Sequence, residues 1–292
     1  MLPSRKVHRL TWSEGRSLEL GRHTRVMGIL NLTPDSFSDG GRFARAAGDG
    51  PDVDAVVRAA ERMLEDGANV LDFGGESTRP GAVETEADEE IARIEPSLRA
   101  VRSRFPDAAL SVDTRKAAVA EAALDAGADW INDVSAAADP AMAPLAATRG
   151  APLILMHMRG TPETMQEDVD YDDLLGTIGR NLIECAHAAE NAGVSSDNIL
   201  LDPGIGFGKS AAGNLAVLRD IPKLASAGYP LLVGASRKRF LGAVLDLPTE
   251  ERLEGSLAAA AIAAWQGVHV VRVHDVKETV RTVRVVDAIR DD

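Results

Sequence analysis

Eight times along this chain a short apolar run stops on polar residues and gives way to a helical stretch. The runs are 26–30, 70–73, 109–112, 130–131, 152–156, 199–201, 230–233 and 268–273. Helix-like segments lie between them, among them 53–66, 86–104, 116–126, 174–191 and 253–266. Gly67, Gly127, Gly150, Gly193, Gly228 and Gly267 each fall just before the next run, where a helix stop in the left-handed region suits glycine. Strands alternating with helices imply a parallel sheet with helices laid over it. The runs are apolar throughout rather than alternating, as expected of strands covered on both faces. Eight such units in 292 residues favour a closed barrel, whose usual length is about 250 residues, over an open doubly wound sheet. The predicted fold class is therefore α/β, an eight-stranded parallel β/α (TIM) barrel with a short N-terminal β-hairpin extension.

Residues 1–24 form that extension. Arg9–Trp12 and Ser17–Leu20 flank Glu14-Gly15-Arg16 and read as a hairpin placed beneath the barrel. Residues 25–292 read as one catalytic domain, with no linker dividing them. Hydrophobic residues make up 45% and charged residues 26% of the chain, the balance of a folded globular protein. A net charge of −13 argues against general nucleic-acid binding, which rests on a basic surface. It leaves room for an anionic small substrate held by a few local cations. No apolar run approaches the roughly 20 residues of a membrane span, none of signal-peptide length follows Met1–Lys6, and the lone Cys185 rules out an internal disulfide. A cytoplasmic location is expected.

If the barrel closes, its polar strand ends converge on one mouth, where the reactive groups of such barrels sit. The ends are Asn31-Leu32-Thr33, Gly75–Arg79, Asp113-Thr114-Arg115, Asn132–Ser135, His157-Met158-Arg159, Asp202, Ser236–Arg239 and Arg272–Asp275. Asp113, Asp202 and Asn132 form an acidic and amide set suited to a flat heterocycle with adjacent N–H and amino donors. Lys238, Arg272 and His274 form a cationic set on the last two strands, where phosphate sites of barrels often lie. Arg272 and His274 are two apart and point the same way from a strand. Asn31 offers a neutral oxygen to a hard cation such as magnesium beside a diphosphate.

Simpler readings stand beside these. Asp202 precedes Pro203 and the alternating glycines of Gly204-Ile205-Gly206-Phe207-Gly208-Lys209, so it reads either as a ligand group or as the cap of a tight turn. Asp113 has a lesser reading as a cap for the next helix; Arg272 reads as a partner for a nearby carboxylate, and Arg237 with Lys238 as a solvated turn. His157, between Met156 and Met158, reads as wall. Asp72 reads as a polar group inside the barrel. The glycine loop matches neither a dinucleotide fingerprint nor a P-loop, and no Cys/His cluster has zinc spacing. The Ser-, Gly- and Pro-rich segments 33–41 and 77–81 suit lids over the mouth.

Taken in order, these segments resemble one known family. Met27–Gly41 and Gly74–Gly81 resemble the first two signatures of the dihydropteroate synthases, and Ser111–Thr114, Asn132–Ser135, Leu201–Lys209, Ser236–Lys238 and Arg272–Val276 resemble the rest. The resemblance covers about residues 25–290. It implies a transferase of folate biosynthesis that joins 6-hydroxymethyl-7,8-dihydropterin diphosphate to 4-aminobenzoate, a homodimer and a sulfonamide target. It further implies that Asp113, Asn132, Asp202 and Lys238 hold the pterin, with Met156 and Phe207 also at the substrate. Asn31, Arg272 and His274 would hold the diphosphate and its Mg2+. Thr78, Arg79, Pro80, Phe37 and Ser236 would lie in the loops and the aminobenzoate pocket, and Asp39 would join Asp113 in steadying positive charge on the pterin methylene. The chain departs from the pattern at Arg239, where serine is common, and at the three alanines 136–138 with Asp139, where glycine is common. The competing readings are a methyltetrahydrofolate-binding methyltransferase-type barrel, which needs neither a diphosphate site nor the first two loops, and a non-catalytic pterin-binding paralogue, which would lack Asn31, Arg272 or those loops. The alanine-rich helix at 257–265 is a candidate dimer surface, with close packing on the barrel as the alternative.

Overall fold

A computed structural model describes residues 5–33, 50–225 and 227–291. The chain opens with an antiparallel hairpin of β1 (His8–Thr11) and β2 (Ser17–Leu20), paired from His8↔Leu20 to Thr11↔Ser17. The barrel follows as β3 (Arg25–Asn31), α1 (Val53–Glu65), β4 (Val70–Gly74), α2 (Ala87–Arg104), β5 (Ala109–Asp113), α3 (Ala117–Asp125), β6 (Trp130–Asp133), α4 (Met142–Arg149) and β7 (Leu153–Met156). It continues through α5 (Leu174–Asn191), β8 (Ile199–Asp202), α6 (Ala211–Arg219), α7 (Ile221–Ala225), β9 (Leu232–Val233), α8 (Arg239–Leu245), α9 (Leu253–Trp265), β10 (Val270–Val273) and α10 (Val276–Asp291). All pairings in this second sheet are parallel, in the order β8-β7-β6-β5-β4-β3-β10-β9. A parallel bridge between Leu201 and Leu231 joins its two edges, so the sheet returns on itself.

The eight runs and the helices between them match the elements observed, and the glycine stops hold. Gly67, Gly127, Gly150, Gly193, Gly228 and Gly267 all have φ between 62° and 108°, a region that costs a side-chain-bearing residue energy.

The strands do alternate, contrary to the reading of uniform apolar runs, but the alternation shows only toward the mouth. One track of each strand faces the helices: Leu71 and Phe73, Leu110 and Val112, Leu153 and Leu155, Ile199 and Leu201, Val271 and Val273 join a core with the helices' apolar faces. The other track faces the barrel axis and changes character along it. At its lower end Met27, Val70, Ala109, Trp130, Ile154, Leu200, Leu232 and Val270 form a closed apolar layer. Two residues further on stand Ile29, Asp72, Ser111 and Asn132, with Ile29 beside Asp72 and Asp72 beside Ser111, and one such step later along β5 Asp113 lies beside Asn132. The axial track therefore begins as core and ends as chemistry. Both tracks are apolar at the start of each strand, and this is why the runs looked uniform.

The hairpin packs against the lower end. Leu10 and Leu20 are fully buried in the same cluster as Trp130 and Val270, and Trp12 meets Trp130 edge to face with centroids 5.7 Å apart. Each such leucine removes about 2 kcal/mol worth of apolar surface from water. Asn198 pins the hairpin by accepting from Thr11 N at 2.9 Å and donating to Thr11 O at 2.7 Å. The lower end is thus plugged, and the mouth is the end left for a ligand.

Candidate active site

The mouth holds a cavity of about 750 Å³, room for two small ring systems. Asn31, Thr78, Arg79, Pro80, Asp113, Asn132, Met156, Asp202, Phe207, Ser236, Lys238, Arg272 and His274 all line it. The predicted Phe37 and Asp39 lie outside the described residues.

Arg272 is the centre of the floor. Its Nε donates to Asp72 Oδ2 at 2.6 Å and its Nη2 to Asp113 Oδ2 at 2.6 Å. Asn132 Nδ2 donates to the same Asp72 oxygen at 3.0 Å. Sequence reading divided the mouth into an acidic heterocycle end and a cationic end; the fold instead interleaves them, because β4, β5 and β10 point their axial side chains to one spot. Arg272 does pair with carboxylates, and it lines the cavity as well. Burial acts to lower its pKa, yet Asp72 and Asp113 outweigh it and hold the guanidinium charged. Burial pushes the Asp113 carboxyl up to about 7, a rise that Arg272 opposes and Asp72 reinforces. Asp113 caps no helix: the side chain at the start of α3 that accepts from Ala117 N is Asp139.

Asp202 combines both of its readings. Its Oδ1 accepts from Gly204 N at 2.7 Å, a turn cap, while the carboxylate also borders the cavity. Burial raises its pKa to about 6 against the nearby Lys238, Lys209 and Arg272. The glycine loop that follows is shaped by Lys209, which is 2% exposed. Lys209 Nζ donates to the carbonyls of Gly204 and Phe207 at 2.9 Å and to His157 O at 3.3 Å, and lies 3.0 Å from His157 Nδ1. Burial lowers this amine's pKa to about 7. Four acceptors around one nitrogen nevertheless call for the three protons of an ammonium, and His157, pushed down to about 3 by burial, supplies a neutral ring to accept. His157 is thus wall and loop anchor.

Lys238 caps α8 and lies 3.9 Å from the centroid of the Phe207 ring, a cation–π contact that fixes both over the cavity. Burial and Arg272 lower its pKa to about 8. Arg237 is no free turn cation: it takes left-handed φ of 56° and grips Asp275 with Nε and Nη2 at 3.0 and 2.5 Å. Ser236 Oγ accepts from His274 N at 3.2 Å and lies 3.0 Å from His274 Nδ1. The hydroxyl's own proton is then available to Nδ1, which leaves the ring hydrogen on Nε2. Burial and the surrounding Arg272, Arg237 and Lys238 push His274 down to about 3, so the ring is neutral.

At the rim, Glu76 fastens the segment that carries Thr78, Arg79 and Pro80. It accepts from Thr85 N at 2.8 Å, Lys116 Nζ at 2.9 Å and Arg115 Nε at 3.0 Å. Burial would raise its pKa, but these hydrogen bonds prevail and hold it low. The segment's Gly81 N reaches across to Pro162 O at 3.0 Å. Arg239 stands exposed on the opposite rim and makes no ion pair among the described residues.

The alanines that depart from the family pattern have a physical reading. Ala136 and Ala137 have φ of 57° and 61°, a conformation in which glycine is cheaper. Asp133 holds the turn, accepting from Ser135 N at 2.7 Å and Ala137 N at 2.9 Å.

The sequence and the barrel fold match known proteins. Residues 27–274 match the pterin binding enzyme family. The dihydropteroate synthase of Escherichia coli (strain K12) is 46% identical over 277 residues, 95% of each chain. The chain belongs to the dihydropteroate synthase family. A Yersinia pestis dihydropteroate synthase, solved as a sulfonamide drug complex, superposes with a TM-score of 0.90 at 44% identity over 97% of this chain and 100% of that one. The Xanthomonas albilineans dihydropteroate synthase, solved with 4-aminobenzoic acid, gives a TM-score of 0.87 at 41% identity over 98% of this chain and 100% of that one.

Within this family setting two residues stand out that sequence reading left aside. Asp72 was read as interior structure and Lys209 only as the end of a loop. The signal for Asp72 was its place two residues after Val70, on the axial track, where a carboxylate needs a partner. The acceptors of Lys209 are split between its own loop, at Gly204 and Phe207, and His157 on the neighbouring one, so the local sequence carried only half of its role.

Proposed function

We infer that this chain joins 6-hydroxymethyl-7,8-dihydropterin diphosphate to 4-aminobenzoate, giving 7,8-dihydropteroate and diphosphate. The observation that carries the reading is one cavity in which Asp113, Asn132 and Asp202 present acceptors while Lys238, Arg272 and His274 present cationic or donor groups. Pterin donors would meet Asp202 and Asp113, with Lys238 over Phe207 and Met156 bounding the ring. The diphosphate would lie toward Arg272 and His274, whose neutral ring offers Nε2–H. The rim residues Thr78, Arg79, Pro80 and Ser236 would border 4-aminobenzoate, and Arg239 adds a cation on the side its carboxylate would approach. A sulfonamide would take the same place.

The mechanism follows from charge. Arg272 and the His274 N–H stabilise negative charge as the C–O bond to diphosphate breaks. Asp113 and Asp202 favour the positive charge left on the pterin methylene. The aryl amine attacks unprotonated, since such amines are neutral near pH 7, and afterwards sheds its proton. Among the described residues no three His, Cys, Asp or Glu side chains gather as a metal cage. That fits magnesium, which commonly takes few protein ligands and several phosphate oxygens. Asn31, whose side chain lines the cavity without a hydrogen bond to a described residue, would hold it. When bound, the ion would neutralise the diphosphate.

The helix at 253–265 buries Ala259, Ala260, Ala263 and Ala264 on the barrel, while Ile262 and Trp265 beside it and Val285 and Ile289 on α10 are exposed. This apolar face supports a homodimer. Among the described residues no helix is long and apolar enough to cross a membrane, and folate assembly from soluble precursors suits the cytoplasm. The deciding test is diphosphate release from the dihydropterin diphosphate, with and without 4-aminobenzoate. Release that requires the amine, with dihydropteroate formed in equal amount, supports the synthase. Pterin binding without turnover would indicate the methyltransferase-type barrel or the paralogue.

A further inference from the structure

Asp72 lies under the cavity floor and does not line it, yet it is 0% exposed and carries two of the floor's side chains. Its Oδ2 receives both Arg272 Nε and Asn132 Nδ2, whereas its Oδ1 is buried without a partner among the described residues. A carboxylate held so deep is costly unless it is fixed by donors, and it can only accept. Two consequences follow for the groups above it. The amide of Asn132 is oriented with its nitrogen down, so its Oδ1 is the atom turned to the ligand. Arg272, with Nε on Asp72 and Nη2 on Asp113, keeps Nη1 as the donor without a partner among the described residues.

We propose that Asp72 is a positioning residue: it sets the polarity of Asn132 and the free donor of Arg272, and so selects a heterocycle that offers N–H donors at the floor. The proposal deepens the pterin reading above and rests on it. Its chemical content is one shared acceptor atom, since Oδ2 alone receives both donors. Asp72→Asn keeps an oxygen at that place and so keeps both hydrogen bonds, its new Nδ2 taking the place of the Oδ1 that has no partner among the described residues. Asp72→Leu fills a similar volume with no acceptor. The Asn132 amide would then be released to turn its nitrogen up, and Arg272 would lose its hold at Nε.

The test uses the full chain and 6-hydroxymethylpterin as probe, with binding followed by calorimetry and folding by thermal unfolding. Wild-type protein is expected to bind the pterin. Asp72→Leu is expected to bind it roughly ten- to hundredfold more weakly, the loss that goes with buried hydrogen bonds to mispositioned partners. Asp72→Asn, which keeps the shared acceptor, is expected to bind within about threefold of wild type. A role confined to the charge of Asp72 would weaken both variants alike. The proposal is overturned if Asp72→Leu binds within twofold of wild type, or if Asp72→Asn binds no better than Asp72→Leu. It is equally overturned if Asp72→Leu does not fold, because Asp72 would then act on the fold alone. Absence of pterin binding by the wild type would instead sink the functional reading on which the proposal stands.

Discussion

Arg272 Nη2 donates to Asp113 Oδ2 at 2.6 Å, so the main cation of the cavity is bound to one of its main carboxylates before any substrate enters. An anion entering beside Arg272 and donors entering beside Asp113 would relieve two opposed charges together. A substrate that carries a diphosphate at one end and ring N–H groups at the other does both, whereas a free anion or a free heterocycle does one. The arrangement gives the bipolar substrate an advantage that neither half has alone.

Arg272→Ala leaves two buried carboxylates without their cation. Removal of one positioned donor of this kind commonly lowers turnover by about 10²–10³, and diphosphate departure is the step expected to slow. Breaking the buried pair is also expected to cost roughly 3 kcal/mol of stability near neutral pH. That loss should shrink on acidification, because a protonated Asp113 no longer needs the guanidinium. Single-turnover diphosphate release and urea unfolding at two pH values measure the two effects. An unchanged turnover rate would defeat the assignment of Arg272.

The carboxylates also set a pH profile. Asp113 and Asp202 are raised to about 7 and about 6, chiefly by burial. Both serve the reaction as ionised acceptors. The rate at limiting substrate should therefore fall as pH drops from about 7 through about 6. Stability runs the other way. A carboxyl whose folded pKa lies above its ordinary value of 3.8 binds more protons folded than unfolded. Its stabilising contribution is full below that value and is lost as pH rises through about 6 to about 7. Activity should rise across the interval in which this part of the stability declines. Initial rates and chemical denaturation at half-unit steps from pH 5 to 8 would show parallel curves if the two aspartates are not responsible.

The barrel was legible because its period is written in the order of apolar runs and glycine stops, which local chemistry enforces. The mouth was legible as a set of strand ends, and thirteen of the residues named from the sequence line one cavity. Their pairing was not. Arg272 contacts residues 200 and 159 positions away, and only closure of the sheet brings those strands together. Asp72, which holds two other residues, was hidden for the same reason. Its role depends on which atoms meet across the axis, and a single strand carries no record of that.

Lys209→Met tests the loop. The variant keeps the length of the side chain but removes every donor from a site that holds three carbonyl oxygens and His157 Nδ1. Buried carbonyls left unmatched cost about 1–3 kcal/mol each before relaxation or water entry. A net loss of roughly 3 kcal/mol is expected, together with weaker pterin binding through displacement of Gly204 and so of Asp202. Denaturation midpoints and pterin titration check the pair. Normal stability would show that the lysine is dispensable to the loop.

Gly204 and Gly81 separate backbone strain from space. Both lie in the left-handed region, with φ of 68° and 79°. A Cβ at Gly81 would meet no atom within 4 Å, whereas one at Gly204 would overlap the carbonyl oxygen of His157. Gly81→Ala should therefore cost only the conformational term, about 1 kcal/mol. Gly204→Ala adds a clash with backbone that no rotamer can relieve, and a cost above about 3 kcal/mol is expected. The second variant also bears on chemistry, because the N–H of Gly204 is what holds Asp202 Oδ1 at 2.7 Å. Partial unfolding aside, the folded fraction of Gly204→Ala should bind pterin at least tenfold more weakly, whereas Gly81→Ala should leave pterin binding untouched. Equal stability losses in the two variants, measured by thermal and chemical unfolding, would show that the turn after Asp202 moves freely and that its geometry does not set the carboxylate.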